Sequence, residues 1–143
     1  MRIFLADDDE DDRTFFEEAL NEIPLNTKVS SFSDGVELMA KLLSEKPLPD
    51  MIFLDLNMPL MDGFECLHDI RNESNFQNIP VIIYSTSFYA AEVARLQEMG
   101  ATRYLKKPSS YNQLKTLLYN CINRYSDNLK SSDSINDEFV IPD

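Results

Sequence analysis

The chain of 143 residues has no tryptophan, one histidine, two cysteines and three glycines. Each shortage removes a class of function. A lone His68 gives little support to a zinc site or to phosphate carried on histidine. Cys66 and Cys121 have no paired metal spacing and build no disulfide framework, so a reducing cytoplasm is the expected setting. Gly35, Gly63 and Gly100 are too scattered for the Gly-x-Gly-x-x-Gly of a dinucleotide site. Basic residues are scarce as well. Lys and Arg number 13 against 25 acids, a net charge of −12. A direct nucleic-acid partner is not expected, because neutralising phosphates needs clustered cations. Nor is an anionic membrane surface. No apolar run approaches the ~18 residues of a membrane span. The first residues run straight into a strand-like pattern, so no signal peptide is expected.

The apolar residues, 43% of the chain, suffice for one domain with a core. They fall in short runs that alternate with helical periodicity. Residues 3–6, 28–32, 51–54, 80–84 and 101–106 read as strands. Residues 14–23 read as helix with Phe15, Phe16, Ala19, Leu20 and Ile23 inward, stopped by Pro24. A second helix, capped by Ser33 or Asp34, carries Val36, Leu38, Met39, Leu42 and Leu43, and Pro47 and Pro49 follow it. A third opens at Asp62-Gly63 with Phe64, Leu67 and Ile70 inward, Cys66 half-buried and His68 at the surface. Residues 72–78 read as a polar loop. A fourth helix, 90–99, ends at Gly100, and a fifth, capped by Ser109, carries Leu114, Leu117, Leu118 and Ile122. Five β-α units imply an α/β fold with a parallel sheet.

Four of the strands end in polar groups. The first delivers Asp7 and Asp8, the third Asp55, the fourth Ser85 and Thr86, and the fifth Lys107-Pro108. In an open parallel sheet such ends line one crevice, where ligands bind. Three carboxylates, a hydroxyl and an ammonium gathered there suit a divalent cation and a phosphoryl group. The six acids from Asp7 to Asp12 are not six ligands: Asp9 and Glu10 read as solvated loop, and Asp11 and Asp12 as charges favouring the start of the first helix.

These motifs, in this order, closely resemble the receiver domain of bacterial two-component response regulators. They are Asp7-Asp8, the run from Leu54 through Asp55 and Asn57 to Gly63, Ser85, and Lys107-Pro108; the likeness spans residues 1–124. The stretch from Phe4 to Arg13 is similar to the stand-alone branch linked to phytochrome-type and hybrid kinases. The resemblance implies a flavodoxin-like doubly wound sheet of five strands, order 2-1-3-4-5, with five helices. It implies that Asp55 accepts a phosphoryl group from a sensor histidine kinase or a histidine phosphotransfer protein. Asp8, Asp55 and the Asn57 carbonyl would hold magnesium or manganese, with Asp7 on a metal-bound water. Lys107 would contact the phosphoryl group, Ser85 and the Thr86 amide would donate to it, Tyr104 would be an aromatic switch, and the bond before Pro108 would be cis. The role implied is a signalling switch with slow self-dephosphorylation rather than a metabolic enzyme, acting on a downstream protein the sequence does not name.

Three rivals weaken on particular residues. An aspartate-nucleophile phosphatase of the haloacid dehalogenase type needs an acid two residues after the nucleophile, where this chain has Asn57. A flavin phosphate would be repelled by Asp7 to Asp12. A receiver that is never phosphorylated is disfavoured by the complete set of site residues. Residues 1–125 are expected to form the domain, and residues 126–143 an acidic tail with five acids against Lys130. Phe139-Val140-Ile141 breaks the polar run. The plain reading is a flexible tail that touches nothing functional; the other is that residues 127–138 contact a patch of Arg103, Tyr104 and Lys106, within the chain or across a homodimer, with Phe139 and Ile141 as anchor.

Overall fold

The computed structural model describes residues 1–44, 47–126 and 138–142. Five strands, β1 (Arg2–Ala6), β2 (Lys28–Phe32), β3 (Met51–Leu54), β4 (Val81–Ser85) and β5 (Arg103–Lys106), form one sheet. All pairings are parallel, in the order β2-β1-β3-β4-β5. The helices are α1 (Glu10–Glu22), α2 (Gly35–Leu43), α3 (Gly63–Asn72), α4 (Ala90–Glu98) and α5 (Tyr111–Ser126), with a 3-10 turn at Ser74–Phe76. This is the doubly wound, flavodoxin-like arrangement expected of the sequence.

Alternation along the strands divides the core into two layers. Ile3, Leu5, Met51, Phe53, Ile82, Tyr84 and Leu105 face α1 and α5. Phe4, Ala6, Ile52, Leu54, Val81, Ile83 and Tyr104 face α2, α3 and α4. In the first layer Phe16, Phe53 and Tyr84 meet edge to face, with ring centroids 5.0 to 6.3 Å apart. The central strands β3 and β4 are buried at every residue, which explains their unbroken apolar character.

Helix starts depart from the sequence reading in instructive ways. α1 begins at Glu10, four residues before the expected Thr14, because Asp9 caps it and accepts from the Asp12 amide at 3.1 Å. Asp9 and Glu10 are therefore cap and first turn rather than loop. Asp34, not Ser33, caps α2. Asp62 and Glu65 form a reciprocal capping box on α3. Ser110, rather than Ser109, accepts from the Gln113 amide at 3.2 Å at the start of α5. Gly100, at φ 100°, closes α4 as expected.

Several side chains also differ. Phe15, Val36 and Leu43 are 50%, 49% and 59% exposed, so none belongs to the core. Their helices bury narrower faces than a count of apolar residues suggests. Phe64 is only partly buried, under the Arg95 guanidinium at 4.6 Å from its ring centre. Cys66 is wholly buried rather than half-buried, and burial pushes its thiol up to about 12. Phe76 sits in the core from within the expected polar loop. His68 is exposed, as expected, 2.9 Å from Asn72.

The tail reading falls partly outside the described residues, since 127–137 are not among them. Residues 138–142 return to the sheet. The Tyr104 amide donates to the Phe139 carbonyl at 2.9 Å, and the Ile141 amide to the Tyr104 carbonyl at 2.8 Å. Val140 thus forms a parallel bridge with Tyr104. The anchor residues Phe139 and Ile141 do pack on the core, but Tyr104 is 1% exposed and is no part of a surface patch.

The adjacent phenylalanines of α1 provide a test of the layer assignment. Phe16→Ala should cost about 3–5 kcal/mol in urea unfolding, whereas Phe15→Ala should stay within about 1 kcal/mol. Equal losses would contradict the burial described.

Candidate functional site

The carboxyl ends of β1, β3, β4 and β5 open on the same side of the sheet. Parallel register places Ala6 beside Leu54, and Ser85 beside Lys106. The residues that follow these strand ends therefore meet in space. The Asp55 amide donates to the Ala6 carbonyl at 2.9 Å, the Lys107 amide to the Ser85 carbonyl at 2.8 Å, and the Asp7 amide to the Phe32 carbonyl at 3.0 Å. The backbone ladder holds each site residue just beyond its strand.

Carboxylate oxygens of Asp7, Asp8 and Asp55 lie within 4.8 Å of one another. Asp7 is wholly buried, Asp55 is 6% exposed and Asp8 is exposed. Asp55 Oδ1 accepts from the Leu56 amide at 2.8 Å. Asp7 Oδ1 accepts from the Asp9 amide at 3.0 Å, and Arg13 Nη1 donates to the Asp7 carbonyl at 2.7 Å. Lys107 Nζ lies 2.7 Å from Asp7 Oδ2, 2.8 Å from Asp12 Oδ2 and 3.3 Å from Asp55 Oδ2. The contact with Asp7 is an ion pair without hydrogen-bond geometry, and Asp7 Oδ2 has no donor of its own. The Lys107 ammonium meets that buried oxygen, but it is shared among three carboxylates.

The electrostatics follow from burial. Desolvation raises the Asp7 carboxyl above its ordinary range, and Lys107 only partly offsets this. Desolvation likewise raises Asp55 to about 6; Lys107 opposes the shift and Asp7 adds to it. Burial disfavours the Lys107 charge, but Asp12, Asp7 and Asp55 outweigh it and hold the ammonium above its ordinary range. Three carboxylates, Asp7, Asp12 and Asp55, thus surround one ammonium and Asp8 adds a fourth negative group nearby, an excess of negative charge that favours a hard cation.

The remaining residues take distinct places. Ser85 is wholly buried, its hydroxyl 3.1 Å from that of Ser87. Thr86 is exposed just after β4, and Asn57 is exposed just after β3. Pro108 lines a cleft of about 260 Å³ beside Lys107, together with Asp12, Phe15 and Tyr111. Tyr104 lies inward, and its hydroxyl donates to the Ser87 carbonyl. Gly63 is required here, since a Cβ on it would stand 2.3 Å from the Asp55 carbonyl oxygen. Leu60, at φ 68° and 80% exposed, is strained in the loop that leaves Asp55.

Two contributors are invisible to a reading of strand ends. Asp12 was assigned to the helix dipole, yet it also holds Lys107. An α1 beginning at Glu10, signalled by Asp9 as cap, would have placed it in the first turn. Ser87 joins Ser85 to Tyr104 through a loop whose course no periodicity reports.

Fold and site together define an acid-and-lysine crevice at the carboxyl ends of a doubly wound parallel sheet. Residues 3–119 match the response regulator receiver domain model. The chain belongs to the response regulator receiver domain family and to two-component phosphorelay signalling, and its family is one of signalling switches. It is 30% identical over 117 residues to the response regulator Rcp1 of Synechocystis sp., covering 78% of this chain and 80% of that one. It is 29% identical over 116 residues to the sensor histidine kinase CheAY of Helicobacter pylori, covering 81% of this chain but only 14% of that protein. Among solved structures, the phosphorylated cyanobacterial phytochrome response regulator RcpA superposes with a TM-score of 0.82 at 29% identity, over 88% of this chain and 94% of that one. The Mn(2+)-bound form of Rcp1 gives 0.80 at 26% identity, over 89% and 95%. Among the described residues no helix is long and apolar enough to cross a membrane.

The elevated Asp55 carboxyl sets a pH dependence. Its folded value of about 6 exceeds the ordinary 3.8. Stability from this group is therefore fully present below about pH 4 and lost as pH rises through about 6, in metal-free protein. Carboxyl carbon NMR should show Asp55 titrating near 6 without metal, and higher still in Lys107→Met. A midpoint near 4 in both proteins would contradict the electrostatics described.

Proposed function

We propose that Asp55 is the phosphoacceptor of a receiver switch, loaded by a histidine kinase or a histidine phosphotransfer protein. One observation carries the reading: Asp55 belongs to the Asp7–Asp8–Asp55 cluster, lies 3.3 Å from Lys107 Nζ and is 6% exposed, whereas Asp7, also beside Lys107, is sealed at 0%. A nucleophile for phosphoryl transfer needs this combination, because the chemistry is mostly positioning and charge neutralisation.

The donor set fits a divalent cation. It consists of hard oxygens, includes the buried Asp7 Oδ2, which shares the Lys107 ammonium with Asp12 and Asp55, and has one exposed member, Asp8, on the solvent side. Asp8 and Asp55 are the assigned carboxylate ligands, the Asn57 carbonyl the third, and Asp7 the residue on a metal-bound water. A bound magnesium or manganese ion would neutralise the incoming phosphoryl oxygens. Asp55 supplies the attacking carboxylate oxygen. Lys107 already faces that oxygen, and one such attraction is worth about 4 kcal/mol at ~4 Å and an effective dielectric of ~20, before desolvation. Asp12 keeps the ammonium in place while the transfer proceeds. Ser85 and the Thr86 amide are the assigned donors to the new oxygens, and Tyr104 responds to Ser85 through Ser87. Rcp1 is described as Mn(2+)-bound and RcpA as phosphorylated, and both likenesses support the same chemistry here. The assigned role is a receiver domain acting in the cytoplasm on a downstream protein rather than on a metabolite; the expected domain of residues 1–125 is joined at its β5 edge by residues 138–142.

Acetyl phosphate with magnesium should add the mass of one phosphoryl group to the wild-type chain and none to Asp55→Asn. A chelator should abolish the gain, and Asp8→Ala should lower its rate at least tenfold. Wild-type labelling of Asp55→Asn would move the acceptor elsewhere; labelling indifferent to chelator would remove the metal.

A further inference from the structure

β5 is the last strand in the order of the sheet, so half of its main-chain groups point outward. Tyr104 presents both a donor and an acceptor on that side. Residues 138–142 take up both, at 2.9 and 2.8 Å, and Arg103 Nε adds a bond to the Glu138 carbonyl at 2.9 Å. The side chains of the returning segment straddle the sheet edge. Ile141, 9% exposed, enters the layer of Leu105, Leu117 and Cys121. Phe139 and Val140 pack on the opposite layer, which holds Val93 and Leu96. Residue 104 is thereby held twice, its backbone by this segment and its hydroxyl by the Ser87 carbonyl.

We propose that the outer edge of β5 is a strand-docking surface whose resident ligand is residues 138–142 of the same chain. Three features select the ligand. Main-chain pairing at Tyr104 demands an extended, parallel segment. Arg103 reads a carbonyl two residues before the bridging position. The slot beside Leu105, Leu117 and Cys121 takes a branched aliphatic side chain one residue after it. Main-chain bonds give affinity in such strand addition, and the alternate side chains give selectivity. A protein that reads this edge must offer an extended segment of the same pattern and displace the resident one. Tethering sets the competition, because a linked ligand faces its site at an effective concentration on the order of millimolar.

The test uses the full chain carrying Ile141→Asp, which places a charge in the apolar slot, and a blocked peptide of residues 136–143 as probe. The peptide should bind Ile141→Asp at least tenfold more tightly than wild type, whose edge is filled. Exchange of the Tyr104 amide should be at least tenfold faster in Ile141→Asp and return to the wild-type rate when the peptide saturates. Ile141→Pro, which removes the donor to the Tyr104 carbonyl and the branched side chain without placing a charge in the slot, should behave likewise and guards against a folding defect in the first variant. Amides of β1 and β3 should keep wild-type protection in both variants. Equal peptide affinity for wild type and variants, no binding to either variant at millimolar peptide, or unchanged Tyr104 exchange would overturn the proposal. Protection of Tyr104 that rises with wild-type protein concentration would also overturn it, since the occupant would then be a second copy.

Discussion

The buried ion cluster at Lys107 is the constraint on which the rest of the crevice depends. Asp7 and Asp55 are carboxylates withdrawn from water at the ends of central strands, and neither is tolerable there without a counter-charge. Lys107 supplies that charge from β5, and Asp12 from α1 completes the set. Elements far apart in the chain are therefore tied at one point by electrostatics rather than by packing. The cluster also remains over-supplied with negative charge, and this imbalance makes a cation and then a phosphoryl group its natural complements.

The sheet supplies what the cluster cannot, which is placement. Each site residue lies one or two positions past a strand whose ladder fixes its height. The close approach at Gly63 brings α3 against the Asp55 backbone, and the capping box at Asp62 and Glu65 fixes where that helix begins. The acceptor is thus framed by main chain on two sides, which suits a group that must be aimed rather than flexible.

Strand ends were legible in the sequence because the apolar runs are short, β-branched or aromatic, and stopped by charge. That was enough for a parallel sheet and for Asp7, Asp8, Asp55, Ser85 and Lys107, whereas the strand order came from the resemblance to receiver domains. Helix starts were less legible. Asp9, Glu10, Asp11 and Asp12 look like a solvated run, yet acids are also what a helix amino end favours, and only the cap at Asp9 distinguishes the two. Exposure of Phe15, Val36 and Leu43 was missed because helical periodicity gives an apolar stripe but not the width its neighbours cover. The path from Ser85 through Ser87 to Tyr104 depends on the course of a loop, which residue pattern does not encode.

The two borders of the sheet are finished by different means. β2 forms one border with a strand of mixed polarity, Lys28-Val29-Ser30-Ser31-Phe32, none of it fully buried. Polar and charged side chains of that kind discourage another chain from adding on. β5, Arg103-Tyr104-Leu105-Lys106, carries a charge at each end but buries Tyr104 and Leu105 between them. Its border is closed instead by residues 138–142. Loss of residues 138–142 by proteolysis would therefore leave the signalling crevice intact while baring the Tyr104 main chain between Arg103 and Lys106, and the shortened protein would fail through unwanted strand pairing rather than through chemistry.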